Sequence, residues 1–147
     1  MSSQTHYTSL ARMYLAAPIN QIYVPTIEIS EGRAEISIEA DERFFHSAGA
    51  LHGSVYFKLL DDAAFFAANS LELETFVLTA SFTTYLLRPI TGGRIRAVGM
   101  VQSRTRNQFL AEAVLYDAEG HEAGRGNGLF AKGRMPLVDA LGYAGTD

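Results

Sequence analysis

Between Val55 and Ala68 the chain runs through an almost unbroken apolar stretch in which only Lys58, Asp61 and Asp62 are charged. The stretch is too long for an ordinary strand and suits a helix. A helix apolar nearly all round must be buried on most of its circumference. It falls short of the roughly 18 uninterrupted apolar residues that span a bilayer, so the rest of the chain has to wrap it. The two aspartates add a second constraint, because a buried carboxylate costs several kcal/mol, as an order of magnitude, unless it is paired, hydrogen-bonded or protonated. Neighbouring helix positions differ by about 100°, so Asp61 and Asp62 cannot face the same point. Asp62 reads as a surface or interface residue.

The flanking segments supply the wrapping. Leu10, Met13, Tyr14 and Ala17 recur at helical spacing between Thr8 and about Gln21, with Pro18 marking the end of a short covering helix. Ile27 and Ile29, then Ala34, Ile36, Ile38 and Ala40, alternate with polar residues on either side of Ser30-Glu31-Gly32, which predicts a hairpin. Beyond the long helix, residues 76–87, 94–102, 108–117 and 121–132 read as strands separated by turn residues. In the last of these Gly124, Gly126 and Gly128 share one face, which fits either the close approach of a ligand or helix, or a bulky neighbour lying over the strand. The tail after Pro136 reads as loose. The predicted class is α+β: one antiparallel sheet around one central helix, a single domain over 1–147 with its core at about 22–133. A lone sheet leaves an edge strand open, and pairing that edge with a second copy covers it, so a homodimer or a dimer of dimers is expected.

Composition excludes several function classes. The chain has no cysteine, hence no disulfide, thiolate metal site or cysteine nucleophile. Its formal net charge of −4 argues against nonspecific nucleic-acid binding, although Arg94, Arg96, Arg104, Arg106, Arg125, Lys132 and Arg134 leave room for a local patch. No two histidines stand at metal-binding helical spacing, so no metal or other cofactor is expected. His6 and His121 lie in polar surroundings and read as solvated. Without a leader or spanning pattern, the expected location is cytoplasmic, with no membrane partner.

At Gly49, His52-Gly53, Leu59-Leu60-Asp61, Ala63, Ala67, Asn69-Ser70 and Arg88-Pro89 the sequence resembles the hot-dog-fold thioesterases, in particular the phenylacetate-pathway type of acyl-CoA thioesterase. The similarity is dense over 49–70 and looser across the rest of 27–132. It implies that Asp61 acts on the thioester, as general base for water or as nucleophile, and that the Gly53 N–H at the helix mouth stabilises the oxyanion. A helix N-terminus is suited to that role by its unpaired N–H groups and positive dipole end. The resemblance also places Thr79 beside the attacking water. Two positions depart from the family pattern: His46 stands where the family has Asn, and Ser54 where it has the second Gly of His-Gly-Gly.

An imidazole at His46 could still orient water or donate to the thioester oxygen. His52 can also fix the loop before the helix by bonding nearby backbone. With Ser54 it is placed at the substrate-binding mouth. Arg104 and Arg106, in a turn, and Lys132 are candidates for the phosphates of coenzyme A, with solvated loop positions as the alternative. Aromatics such as Phe57, Phe65, Phe76 and Phe82 read as core, one or two of them lining an acyl pocket. The implied activity is hydrolysis of an aryl- or medium-chain acyl-CoA, with coenzyme A as part of the substrate. The alternative is a noncatalytic acyl-CoA-binding module, and a hydratase ranks last.

Overall fold

In the computed structural model, which describes residues 2–145, helix α1 (Ser3–Ala16) begins earlier than the apolar spacing predicts. The reason is a cap: Ser2 stays extended and its hydroxyl accepts from the Thr5 N–H. Pro18 ends α1, but the chain then turns again into a short helix, α2 (Asn20–Tyr23), rather than continuing as loop. The predicted hairpin follows as β1 (Thr26–Ser30) and β2 (Arg33–Glu39). The long helix α3 covers Gly53–Asn69, and β3 (Thr75–Leu86), β4 (Arg94–Arg104), β5 (Gln108–Tyr116) and β6 (Glu122–Pro136) complete one antiparallel sheet in the order β1-β2-β4-β5-β6-β3. This is the hot-dog arrangement.

The sheet wraps α3 because alternate residues of each strand are apolar. Ala34, Ile36 and Ile38 of β2, Ile95 and Ala97 of β4, and Phe109, Ala111, Ala113 and Leu115 of β5 are buried on the same face, against Leu59, Leu60, Ala63 and Ala64 of the helix. Contact is closest at Gly99 on β4, where a Cβ would fall on the backbone of Ala63 and Ala64. Helix backbone and sheet backbone meet there without an intervening side chain.

The glycine face of β6 is covered by rings. Phe82 of β3 lies over Gly126 and Gly128, and Tyr56 of α3 over Gly124. A bulge in β3 produces this: the register passes from Thr79↔Phe130 to Ser81↔Leu129, so the inward parity moves from Val77 and Thr79 to Phe82 and Thr84.

Two expectations about the ends need correction. The tail is not loose: Leu137 and Tyr143 are buried, and the Arg12 side chain donates to the carbonyls of Gly142 and Tyr143, both at 2.8 Å. His6 is not solvated but fully buried, its Nδ1 bonded to the Tyr143 hydroxyl at 2.7 Å and its Nε2 to the Asn69 carbonyl at 2.8 Å. Burial depresses its pKa. The core therefore extends beyond 22–133 to α1 and the tail. No helix among the described residues is long and apolar enough to cross a membrane.

The sheet has two edge strands, β1 and β3. β3 pairs with β6 on one side only, and Leu78, Tyr85 and Leu86 along it are about half exposed.

Candidate active site

The mouth of α3 is built by His52, which caps the helix: its Nδ1 accepts from the Ser54 N–H at 3.0 Å and lies 2.8 Å from the Ser54 hydroxyl. An Nδ1 that accepts a backbone N–H carries no proton, so the hydroxyl donates to it as well. This is the loop-fixing role open to His52 in the sequence. The cap takes up the second amide of the helix, while among the described residues no acceptor is bonded to the first, Gly53 N–H. Gly53 shares a cavity of about 260 Å³ with His46, Ala50, Tyr56, Leu86 and Arg88. His46 Nδ1 accepts from the Ala48 N–H at 3.0 Å, within a turn closed by Gly49 in the left-handed region. The His46 proton therefore sits on Nε2. An unpaired backbone amide and an exposed imidazole line one cleft.

Two turns further along α3, Asp61 accepts from the Thr79 hydroxyl at 3.0 Å through Oδ1. Thr79 reaches it from the residue just before the β3 bulge. Partial burial pushes the Asp61 carboxyl up to about 6, against the Thr79 hydrogen bond and the Lys58 charge, which lower it, and with the Asp62 charge, which raises it. Asp61 opens on a second and larger cavity, about 500 Å³, between α3 and the α1–α2 segment, walled by Met13, Tyr23, Phe57, Phe65 and Phe76. Ser54 also lies on its wall, with its hydroxyl held by His52.

Asp62 is not a freely solvated surface residue. It is partly buried on the wall of the same cavity, ion-paired with Lys58 one turn earlier and accepting from the Tyr14 hydroxyl of α1 at 2.8 Å. The Lys58 ammonium lies 5.2 Å from the Tyr14 ring centre and 5.1 Å from that of Tyr23. Burial and the Asp62 charge raise the Tyr14 pKa, which keeps its hydroxyl a donor. The covering helix is thus fastened over the charged face of α3, a role that the Lys58/Asp62 spacing of four hints at but only the fold reveals.

Asp61 and Thr79 are brought together, and so are Gly53 and His46, but the two pairs open on different cavities of one protomer. Arg104 stacks over Phe109 at 5.6 Å, and Arg106 lies exposed in the β4–β5 turn. Lys132 is ion-paired with Glu72 at 3.1 Å. None of these three lines either cavity. Of the other cations expected as a patch, Arg94, Arg96 and Arg125 are each within 4.0 Å of a glutamate.

The long helix wrapped by one six-stranded antiparallel sheet defines a hot-dog domain. The profile of the Thioesterase superfamily matches residues 48–123, more than half of the chain, and the chain belongs to that superfamily. Among solved structures it is similar to the PaaI protein of E. coli from the phenylacetic acid degradation operon, with a TM-score of 0.83, 18% identity, and coverage of 91% of this chain and 97% of that one. A thioesterase family protein from Silicibacter pomeroyi gives a TM-score of 0.77 at 27% identity, covering 85% and 96%. A thioesterase from Haemophilus influenzae gives 0.76 at 18%, covering 88% and 91%. No curated protein matches the chain.

Proposed function

We propose that the protein hydrolyses aryl- or medium-chain acyl-CoA thioesters at a site shared by two copies of the chain. The observation that carries this reading is Asp61: a carboxylate raised to about 6, held by Thr79 and opening on a large apolar cavity. Such a group is ionised at neutral pH yet more basic than an ordinary aspartate, which suits a general base. In the proposed reaction Asp61 takes a proton from water as the water oxygen bonds to the thioester carbonyl carbon. The carbonyl π electrons move to oxygen, where Gly53 N–H, aided by His46 Nε2–H, stabilises the negative charge. Collapse of the tetrahedral intermediate breaks the C–S bond and releases the acid and the coenzyme A thiol, the proton passing to sulfur. The acyl group occupies the cavity beneath α1–α2. His52 and Ser54 line the approach, and Arg104 and Arg106, with Lys132 near them, meet the coenzyme A phosphates.

The second copy joins at the open edge of β3. Thr79 lies toward the start of that strand, and Leu86, whose side chain touches Gly53, at its end. Antiparallel pairing about a two-fold axis near Phe82 sets the Thr79 region of one strand opposite the Leu86 region of the other. Asp61 and Thr79 of one protomer then face Gly53 and His46 of its partner.

The test is thiol release from a panel of aryl- and alkyl-acyl-CoA esters across pH. A working base must be ionised, so kcat/KM should rise with pH, pass its half-value near pH 6 and level off above it. Saturable binding with no thiol release would instead favour the noncatalytic module, for which the His46 and Ser54 departures speak.

A further inference from the structure

Thr79 stands on an edge strand, in a segment that is poorly fixed by its neighbour. Val77, Leu78 and Thr79 pair with Lys132, Ala131 and Phe130 of β6, but the register shifts on both sides of them, between Thr75 and Val77 and between Thr79 and Ser81. At the first shift the Phe76 carbonyl occupies space beside Gly133 that a Cβ would fill. Each shift interrupts the ladder, so the register of the rest of β3 is not passed on to this segment. The place of Thr79 over α3 has to be set locally.

Asn69, the last residue of α3, reaches that segment from below and is fully buried. Its Nδ2 donates to the carbonyls of Glu72 and Thr75, each at 3.1 Å, and its Oδ1 accepts from the Val77 N–H at 2.9 Å. The carbonyls can only accept and the N–H can only donate, so the amide has a single orientation. One side chain thus closes the α3–β3 turn and grips the strand two residues before Thr79. A reacting group has to be held to within about 0.5 Å, which the Thr79 hydroxyl can do for Asp61 only if its own backbone is fixed.

We propose that Asn69 is a positioning residue for the Asp61 site: through Val77 it sets where Thr79 lies along α3 and so keeps the Thr79 hydroxyl on the Asp61 carboxylate. The inference rests on the reading of Asp61 as the base, and it gives the far end of α3 a share in holding that base. Asp61 is faced by Lys58 and Asp62 on its own helix, by Tyr14 on α1, by Tyr23 across the cavity on α2 and by the Thr79 hydroxyl on β3. Asn69 governs only the last of these. Burial raises the Asp61 carboxyl and the Thr79 bond lowers it. A general loosening of the fold therefore admits water and lowers the titration midpoint, whereas displacement of Thr79 alone raises it.

The test follows the Asp61 carboxyl carbon by NMR across pH in the full chain, beside kcat/KM for the best acyl-CoA ester of the panel. In Asn69→Ser, whose side chain is too short to reach Val77, the carboxyl midpoint should rise by about one pH unit, the scale of one hydrogen bond to a charged group. The half-value of kcat/KM should rise with it. Thr79→Val should give the same rise, and adding it to Asn69→Ser should give no more. A midpoint that stays at the parent value or falls overturns the proposal, because a merely structural asparagine changes stability without raising it. A further rise in the double variant as large as that of Thr79→Val alone also overturns it. If Asn69→Ser does not fold, the Phe76–Val77 peptide bond is replaced by an ester, which deletes the N–H and keeps every side chain, and the same rise or its absence decides. If no acyl-CoA ester is hydrolysed, the thioesterase reading fails, and the carboxyl titration alone decides the role of Asn69.

Discussion

Asp61→Asn is expected to lower kcat by on the order of 10³-fold, within the range for loss of a positioned general base, while the chain still folds and assembles. Asparagine keeps the shape and can still meet the Thr79 hydroxyl, but it cannot take a proton from water. Stability should move the other way. In the folded protein the Asp61 carboxyl holds its proton up to about pH 6, whereas in the unfolded chain it ionises near 3.8. Between these values the folded state binds more protons than the unfolded one, so this group's contribution to stability falls as pH rises through the window. The neutral amide of the variant has no such penalty. Asp61→Asn should therefore unfold at higher denaturant than the parent at pH 7, with the difference shrinking toward zero near pH 4. Retained turnover by the variant, or a stability difference of opposite sign, would remove Asp61 from the role given to it.

The second large effect is structural. Gly99→Val should lower unfolding free energy by about 3 kcal/mol or more, the upper end of overpacking costs, because the new Cβ meets helix backbone rather than the movable end of a side chain. That is a large share of the ~5–15 kcal/mol that holds an ordinary domain folded. Strand propensity alone predicts the reverse, since valine is favoured in strands and glycine disfavoured. The sign of the change in chemical denaturation thus separates the two. An unchanged or raised midpoint would mean that α3 does not rest on β4 at Ala63–Ala64 as described.

The strands were legible because one face of each is buried and the other is not, which writes a period of two into β2, β4 and β5. The central helix was legible for the opposite reason, being apolar nearly all round. What the sequence concealed depends on distant partners. His6 looks solvated beside its polar neighbours, and it is buried only because Tyr143 and the end of α3 arrive on either side. Helix geometry separates Asp62 from Asp61, yet both line one cavity, and the pairing of Asp62 with Lys58 and Tyr14 depends on where α1 lies. The start of α1 escapes the apolar spacing because its signal is a cap at Ser2 rather than an apolar residue. Pro18 reads as a stop, which hides α2 behind it. Asp61, Thr79, Gly53 and His46 were all named from the sequence. Their division between two cavities follows their places on α3, with Gly53 at its mouth and Asp61 two turns in.

The central claim, a hydrolytic site completed by a second copy, is tested most directly by mixing two disabled chains. Gly53→Pro removes the amide proposed for the oxyanion at the first helical position, where proline is tolerated, and His52 before it already has the extended backbone, ψ 142°, that proline requires. Gly53→Pro and Asp61→Asn homodimers should each be nearly inactive. After joint unfolding and refolding at equal amounts, half of the dimers are mixed, and each mixed dimer holds one site with both Gly53 and Asp61 intact, so about a quarter of the parent activity should return. If the mixture shows only the average of the two variants, the catalytic groups do not come from different subunits.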